Sequence, residues 1–422
     1  MASAPALLDD LTEEIFLRIH PADAATLVRA ALVCRRWCRL IAAPGFRRRF
    51  REFHRAPHML GFSCNIDSGS FYSLPSTVAR FVRTCSCLKR VDMESSRVID
   101  TRHGRVLLVW ESDRGNKYLF VWDPIGKEEH KLPWIFWYPD SWNAAVFCTA
   151  AGCDHLDCHG KPFAVFFVAT SHTGIFNFVY SSETGSWSDA SDPFAQQTDD
   201  ALVLEPSALV GNELYFLLQT KTQILKCNIS TREMHMIHLP PSACFSERRI
   251  VLMATDDRRL GFATVSGSNL CLWSREVASD KDAGWAQKRA IDLKTLLPDG
   301  ALVMPPDVAG FAEGIGFIFM ETNYGHFRID LKSSYVKKLR TVNGVSIIFP
   351  YMSFHTPVRI LKQIIIEEKF VPNKLMSCSK FLYSCSAGSS SSLYRSQVGL
   401  IRHTYSSDIV GSYSVPNAQV LF

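Results

Sequence analysis

Two textures divide the chain. From Leu7 to Ile19 apolar residues recur at helical spacing, at Leu7, Leu8, Leu11, Ile15 and Ile19. Asp9, Asp10, Glu13 and Glu14 crowd the start of this segment, where the helix dipole favours acids, and Pro21 ends it. A second helical stretch is predicted over 24–42, with Asp23 as N-cap and Pro44-Gly45 as the stop. A helical unit of about 45 residues is smaller than most that fold alone, and it carries more apolar positions than it can bury within itself. The pattern predicts either an apolar face awaiting a partner or helices packed on the domain behind them.

Beyond Pro57, short apolar runs alternate with Gly, Asp, Asn and Ser turns. Strands are predicted at Leu60–Phe62, Gly104–Trp110, Gly160–Val168, Gly211–Leu218, Arg259–Phe262 and Gly314–Met320. Most are followed by another strand and then a tight polar turn, at Trp122–Lys127, Tyr180–Gly185, Asn228–Arg232 and Asp330–Ser333. The unit recurs about every 50 residues, the period of propeller blades of the kelch kind. A four-stranded blade cannot bury both faces alone, and stacking around a ring solves that. The expected fold class is α+β multidomain: N-terminal helices followed by an all-β propeller of six to seven blades. A large β-sandwich or solenoid is the competing architecture. The expected divisions are 5–50 for the helical domain, 51–57 for a basic linker, 58–357 for the propeller, closing near Ile347–Tyr351, and 358–422 for a loosely structured extension. A short helix is expected around Asp292 to Leu297.

Composition agrees with a folded, β-rich chain. Of 422 residues, 47% are hydrophobic, 21% charged and 12% aromatic, a load that suits pleated faces. The net charge of +5 is too small for this length to argue for nucleic acid or a membrane surface. No run is long and apolar enough for a membrane helix, and the N-terminus lacks the basic start of a signal peptide. The 13 cysteines are expected as free thiols in a reducing compartment, hence cytoplasm and/or nucleus.

The first half of the helical unit, with Leu7, Asp10, Leu11, Ile15 and Ile19, and the second, with Val33-Cys34-Arg35-Arg36-Trp37, Leu40-Ile41 and Pro44-Gly45-Phe46, together resemble the F-box. Leu8 stands where that family usually has Pro, and His20 where plant members often do. The connector from Phe46 to Phe62 is similar to that of grass F-box proteins with an F-box-associated, kelch-type propeller region. The resemblance implies a non-catalytic subunit of an SCF-type cullin-RING ubiquitin ligase. Its F-box would dock a Skp-type adaptor, and through it cullin and RING subunits, by laying helices into an apolar groove. It implies Leu7, Leu11, Ile15, Ile19, Leu27, Val28, Val33 and Trp37 as adaptor-binding residues, Trp37 also serving the core. The propeller would then bind a target protein.

The basic run Arg47, Arg48, Arg49, Arg51 and Arg55, interleaved with Phe50 and Phe53, reads as a solvated helix with both phenylalanines buried rather than a nucleic-acid patch. For the target, Trp134, Phe136, Trp137 and Tyr138, with Trp142, are the aromatic candidates; packing between blades is the competing reading. Cys153, His155, Cys158 and His159 could ligate zinc by residue type. Structural sites usually draw on two separated clusters, and no matching downstream pair is evident, so no metal and no cofactor are expected. Phosphate loops, nucleophile elbows and metalloprotease helices are absent from the sequence. The enzymatic alternative is a kelch-like propeller that binds or oxidises a small molecule or sugar, which rests on fold analogy alone.

Overall fold

The computed structural model describes residues 9–54, 58–68, 76–84, 91–112, 116–134, 139–194, 200–241, 248–276, 284–340 and 344–354. The extension at 358–422 lies outside the described residues, as do Leu7, Leu8, Phe136, Trp137 and Tyr138.

Four helices open the described chain: α1 (Asp9–Leu17), α2 (Ala24–Val33), α3 (Arg35–Ala42) and α4 (Pro44–His54). Asp23 caps α2, its Oδ1 accepting the Thr26 N–H at 3.2 Å. The single helix expected over 24–42 is broken at Cys34, which is extended (φ −157°, ψ 161°) and separates α2 from α3. Pro44 starts α4 rather than stopping the helical unit, because Pro at a first helical position loses no hydrogen bond. The side chains of Phe16, Leu27, Ile41, Phe46 and Phe50 are buried. Phe16 anchors the cluster edge-on to Trp37 (5.2 Å) and Phe46 (6.5 Å). Asp9 and Arg36 tie α1 to α3 at 2.6 Å, and buried Glu13 pairs with Arg49 of α4. Phe53, expected to be buried, is exposed.

Behind the helices stand six four-stranded antiparallel sheets. The first takes β1 (His58–Ser68), β2 (Ser76–Arg83) and β3 (Val91–Met93). The second is β4 (Ser96–Arg102), β5 (Arg105–Glu111), β6 (Lys117–Asp123) and β7 (Glu128–Lys131). The third is β8 (Ser141–Cys148), β9 (Phe163–Ser171), β10 (Gly174–Ser181) and β11 (Ser186–Trp187). The fourth is β12 (Ala208–Val210), β13 (Glu213–Leu217), β14 (Gln223–Asn228) and β15 (Met234–His238). The fifth is β16 (Val251–Ala254), β17 (Leu260–Ser266), β18 (Asn269–Arg275) and β19 (Trp285–Asp292). The sixth is β20 (Asp307–Ala312), β21 (Phe317–Thr322), β22 (Gly325–Asp330) and β23 (Val336–Lys338). The last strand, β24 (Val345–Ser353), returns to pair with β1 and completes the first sheet as its inner strand. This is a six-bladed propeller, at the lower end of the expected range. The helix expected near Asp292 is a short 3-10 turn, Leu293–Thr295, capped by Asp292.

The blades hold together through what lies between them. One apolar cluster joins Phe166 and Val168 of the third blade to Leu214 and Phe216 of the fourth; another joins Leu107 and Val121 of the second to Val146 and Val165 of the third. Strands covered on both sides therefore read as unbroken apolar runs: Phe163 to Thr170 in β9 are all buried, whereas Glu128 to Lys131 in outermost β7 are all exposed. Polar side chains add specific bridges. Asn65 of β1 donates to Val98 O at 3.0 Å and accepts the Val98 N–H at 2.7 Å, stitching the first blade to the second. Pro350 is tolerated in β24 because that strand is the inner edge of its sheet, where no further ladder needs its missing N–H.

Candidate functional site

Strand order fixes which loops share a face. Successive strands are antiparallel, so the first-to-second and third-to-fourth connections of every blade open on one side, and the remaining connections on the other. β1 starts on the first of these faces and β24 ends there. That puts the helical unit on this near face.

The helical unit meets the near face through α4. Arg51 pairs with Asp157 of the β8–β9 loop at 3.1 Å, both side chains largely buried. Phe50 packs edge-on against Phe354, just beyond β24, at 6.4 Å. The Phe354 N–H donates to Leu156 O at 3.1 Å, so the same loop holds both elements. His54 Nε2 donates to Leu17 O at 2.8 Å, locking α4 to the end of α1. Burial lowers the His54 pKa.

The other side of the helical unit is uncovered. Leu11 and Ile15 lie one turn apart on α1 and are 53% and 52% exposed, and Val33 at the end of α2 is 65% exposed. Among the residues expected to bind an adaptor, these three project freely. Ile19, Val28 and Trp37 are half-buried. Leu27 is fully buried. Its side chain belongs to the core of the unit.

On the far face the aromatic candidates divide. Trp134, in the β7–β8 connection, is half-buried and edge-on to Tyr118 at 5.4 Å. Trp142 lies within β8 and stacks on Phe167 at 5.3 Å, so it serves blade packing. Sequence reading missed a different group on that face. Val303 and Met304 lead into β20 and Tyr324 sits in the β21–β22 turn, at 78%, 62% and 55% exposure. The adjacent Asn323 donates to Gly300 O at 3.0 Å, which links the two connections. Only their position at loop tips, which sequence does not reveal, distinguishes them from core residues.

An axial cavity of about 710 Å³ runs among the inner strands, lined in part by Asp100, Arg102, Ser207, Glu313 and Phe349. Two of its charges, Asp100 and Arg102, are committed to the fold. Arg102 Nη1 meets Asp100 at 2.8 Å and Nη2 donates to Ser207 O at 2.8 Å, while Asp100 accepts the Val146 N–H at 2.9 Å. Burial raises the Asp100 pKa against the pull of Arg102. This network bridges the second, third and fourth blades. Among the described residues, no helix is long and apolar enough to cross a membrane.

Comparison with known proteins agrees with this layout. An F-box-like family model matches residues 9–52, spanning all four helices but the last two residues of α4. A second model, described as F-box protein AT5G49610-like, beta-propeller, matches 97–358, from within β4 past the closing strand. Among solved structures, TolB from Acinetobacter baumannii is similar at 10% identity and a TM-score of 0.42, over 72% of this chain and 69% of its own. The six-bladed, fucose-recognising lectin of Aleuria aurantia is similar at 10% identity and a TM-score of 0.36, over 70% of this chain and 97% of its own. A search of curated proteins finds no match. The helices on the near face and the closed ring behind them form the architecture of non-catalytic F-box/propeller adaptors, and the propeller match covers more than half the sequence. The chain belongs to the family of AT5G49610-like F-box proteins with a β-propeller.

Proposed function

We propose that the chain is the substrate-receptor subunit of an SCF-type cullin-RING ubiquitin ligase. One observation carries the reading: the F-box is fastened to the propeller by α4 while Leu11, Ile15 and Val33 stand in solvent on its other helices. Large apolar side chains left exposed on a fixed scaffold are what a groove-forming Skp-type adaptor would cover. The adaptor would connect the chain to cullin and RING subunits. The far face of the propeller would hold a target protein, with Val303, Met304, Tyr324 and Trp134 as its apolar contacts. The role of the chain is then positioning, which raises the effective concentration of target lysines near the transferred ubiquitin. The similarity of the connector to grass F-box proteins supports a plant member of the family.

Co-purification tests this. Tagged full-length chain should retain a Skp-type adaptor, and Ile15→Asp should lose it while leaving the circular dichroism spectrum and thermal midpoint unchanged. Failure of the wild-type chain to retain any Skp-type adaptor, or full retention by Ile15→Asp, would overturn the reading.

A further inference from the structure

The β8–β9 connection carries a cluster of soft ligands that neither the adaptor face nor the target face uses. Cys148 ends β8, and Cys153, His155 and Cys158 follow in the loop. One ligand atom from each lies within 4.8 Å of all the others. Cys153 Sγ is 3.7 Å from Cys158 Sγ, and Cys158 Sγ is 3.8 Å from His155 Nδ1. A tetrahedral zinc centre with Zn–S bonds of about 2.3 Å sets its thiolates about 3.8 Å apart. The two spacings given match the edge of a coordination tetrahedron, the four atoms lie close enough to converge on one ion, and the sulfurs are well beyond a disulfide bond.

The surroundings suit a metal centre. The His155 N–H points at Cys153 Sγ (3.4 Å) and the Lys161 ammonium donates to the same sulfur at 3.1 Å. Three thiolates around Zn²⁺ leave one net negative charge, and Lys161 offsets it. The His155 ring stacks flat on His103 at 4.1 Å, and His103 Nδ1 in turn accepts the Cys148 N–H at 3.0 Å. The imidazole is thus oriented by stacking on a neighbour that is tied to the strand supplying another ligand. His159 is engaged elsewhere, bonded to Asp123 and Ser353 at 2.7 Å each. Cys148, from the strand end, takes the place that sequence spacing assigns to His159.

We propose that Cys148, Cys153, His155 and Cys158 form a structural zinc site that fixes the β8–β9 loop. Four protein ligands close the coordination shell and leave no position for substrate. Binding displaces the thiol protons to solvent, and the metal replaces them. The loop so fixed is the one that meets the F-box, through Asp157 and Arg51 of α4, while Leu156 O and Cys158 O accept from Phe354 and from Arg105 (2.9 Å) of the propeller. The zinc would sit directly beneath the F-box and hold its footing rigid.

The test is elemental analysis of the full-length chain purified without chelators. About one zinc per chain is expected. His155→Ala, at an exposed position that leaves folding intact, should lower it about tenfold or more, as should Cys148→Ser, whereas His159→Ala should retain it. Cobalt taken up by the wild-type chain should give the intense visible bands of a tetrahedral thiolate centre. Removing the metal should speed hydrogen exchange in residues 148–161 and in α4. Wild-type chain that neither contains zinc nor takes up zinc or cobalt on dialysis would overturn the proposal. So would a Cys153–Cys158 disulfide in the alkylated protein, or loss of metal with His159→Ala and not with His155→Ala. If Cys148→Ser fails to fold, His155→Ala and the cobalt spectrum still decide.

Discussion

The F-box and the propeller handle apolar surface in opposite ways. A blade strand such as β9 is apolar from Phe163 to Ala169, and a neighbouring blade covers each side of it. The ring then closes through β24 on β1. In the F-box helices the apolar stripe is wider than the unit can cover, and Leu11, Ile15 and Val33 remain outside. The propeller completes its own core; the F-box has a core plus a remainder. In a fixed helical scaffold such a remainder suits a partner, and among the described residues of the ring large exposed apolar side chains sit at loop tips such as Val303 and Tyr324.

The largest effect that sharpens this contrast is in the ring. Phe166 has no exposure and stacks on Phe216 of the next blade, centroids 6.4 Å apart. Phe166→Ala should destabilise the chain by about 3–5 kcal/mol in a urea titration. Ile15→Asp should stay within about 0.5 kcal/mol of wild type. Equal losses at the two sites would erase the distinction between covered and uncovered apolar residues.

Next comes the closure itself. A Cβ added at Gly310 of β20 would lie 2.2 Å from Ile348 O of β24, closer than any side chain can approach backbone. Gly310→Ala should therefore cost roughly 1–3 kcal/mol by forcing the two inner strands apart. A neutral result would mean that the first and last blades are not pressed together as described.

Smaller still is the seam between the two regions. Arg51→Ala removes a partly buried ion pair with Asp157, and a loss of about 1 kcal/mol or more is expected from the unpaired carboxylate. Hydrogen exchange should rise in α4 and in the β8–β9 loop, with the far blades unaffected. Uniform protection would show that the seam rests on Phe50 and Phe354 alone.

The mildest effect is a pH dependence within the ring. Burial lowers the pKa of His326, whose Nε2 donates to Val345 O at 2.9 Å at the start of β24. The unfolded imidazole titrates near ~6.5, so just below that pH the unfolded chain binds more protons than the folded one. The stability held by neutral His326 is complete above about 6.5 and is lost as pH falls toward the lower folded value. His326→Gln should flatten the acid side of the stability profile between about pH 7 and 5, measured by urea midpoints. An unchanged slope would remove His326 from the account.

What was legible in the sequence follows the same contrast. The recurrent glycine-led strands are the second strand of each blade, and the polar turns that follow are third-to-fourth connections. Asp123 and Asn228 cap two of these turns with their side chains, at 2.7–2.9 Å from the following N–H groups. Mid-blade strands are covered on both faces and so stand out as apolar runs. Outer strands are short or polar: β11 has two residues and β7 four exposed ones. The closing strand was legible near Ile347–Tyr351, but its pairing with β1, which links the two ends of the propeller, is announced by no local pattern. In the F-box, periodicity showed which positions are apolar but not which side another helix covers, so Leu27 and Ile15 looked alike. In the β8–β9 loop the close spacing of Cys153, His155, Cys158 and His159 hides Cys148, the proposed fourth ligand, which lies upstream at a strand end.

The proposed receptor role requires the uncovered F-box face to dock a Skp-type adaptor. Its most direct test is the adaptor's dissociation constant for the full-length chain and for Ile15→Asp, measured by titration calorimetry on folded protein. Tight binding by wild type and a loss of about 30-fold or more in the variant, the scale of a buried interface anchor, is the predicted result. Equal affinity in both proteins, or no binding by wild type, would contradict the account.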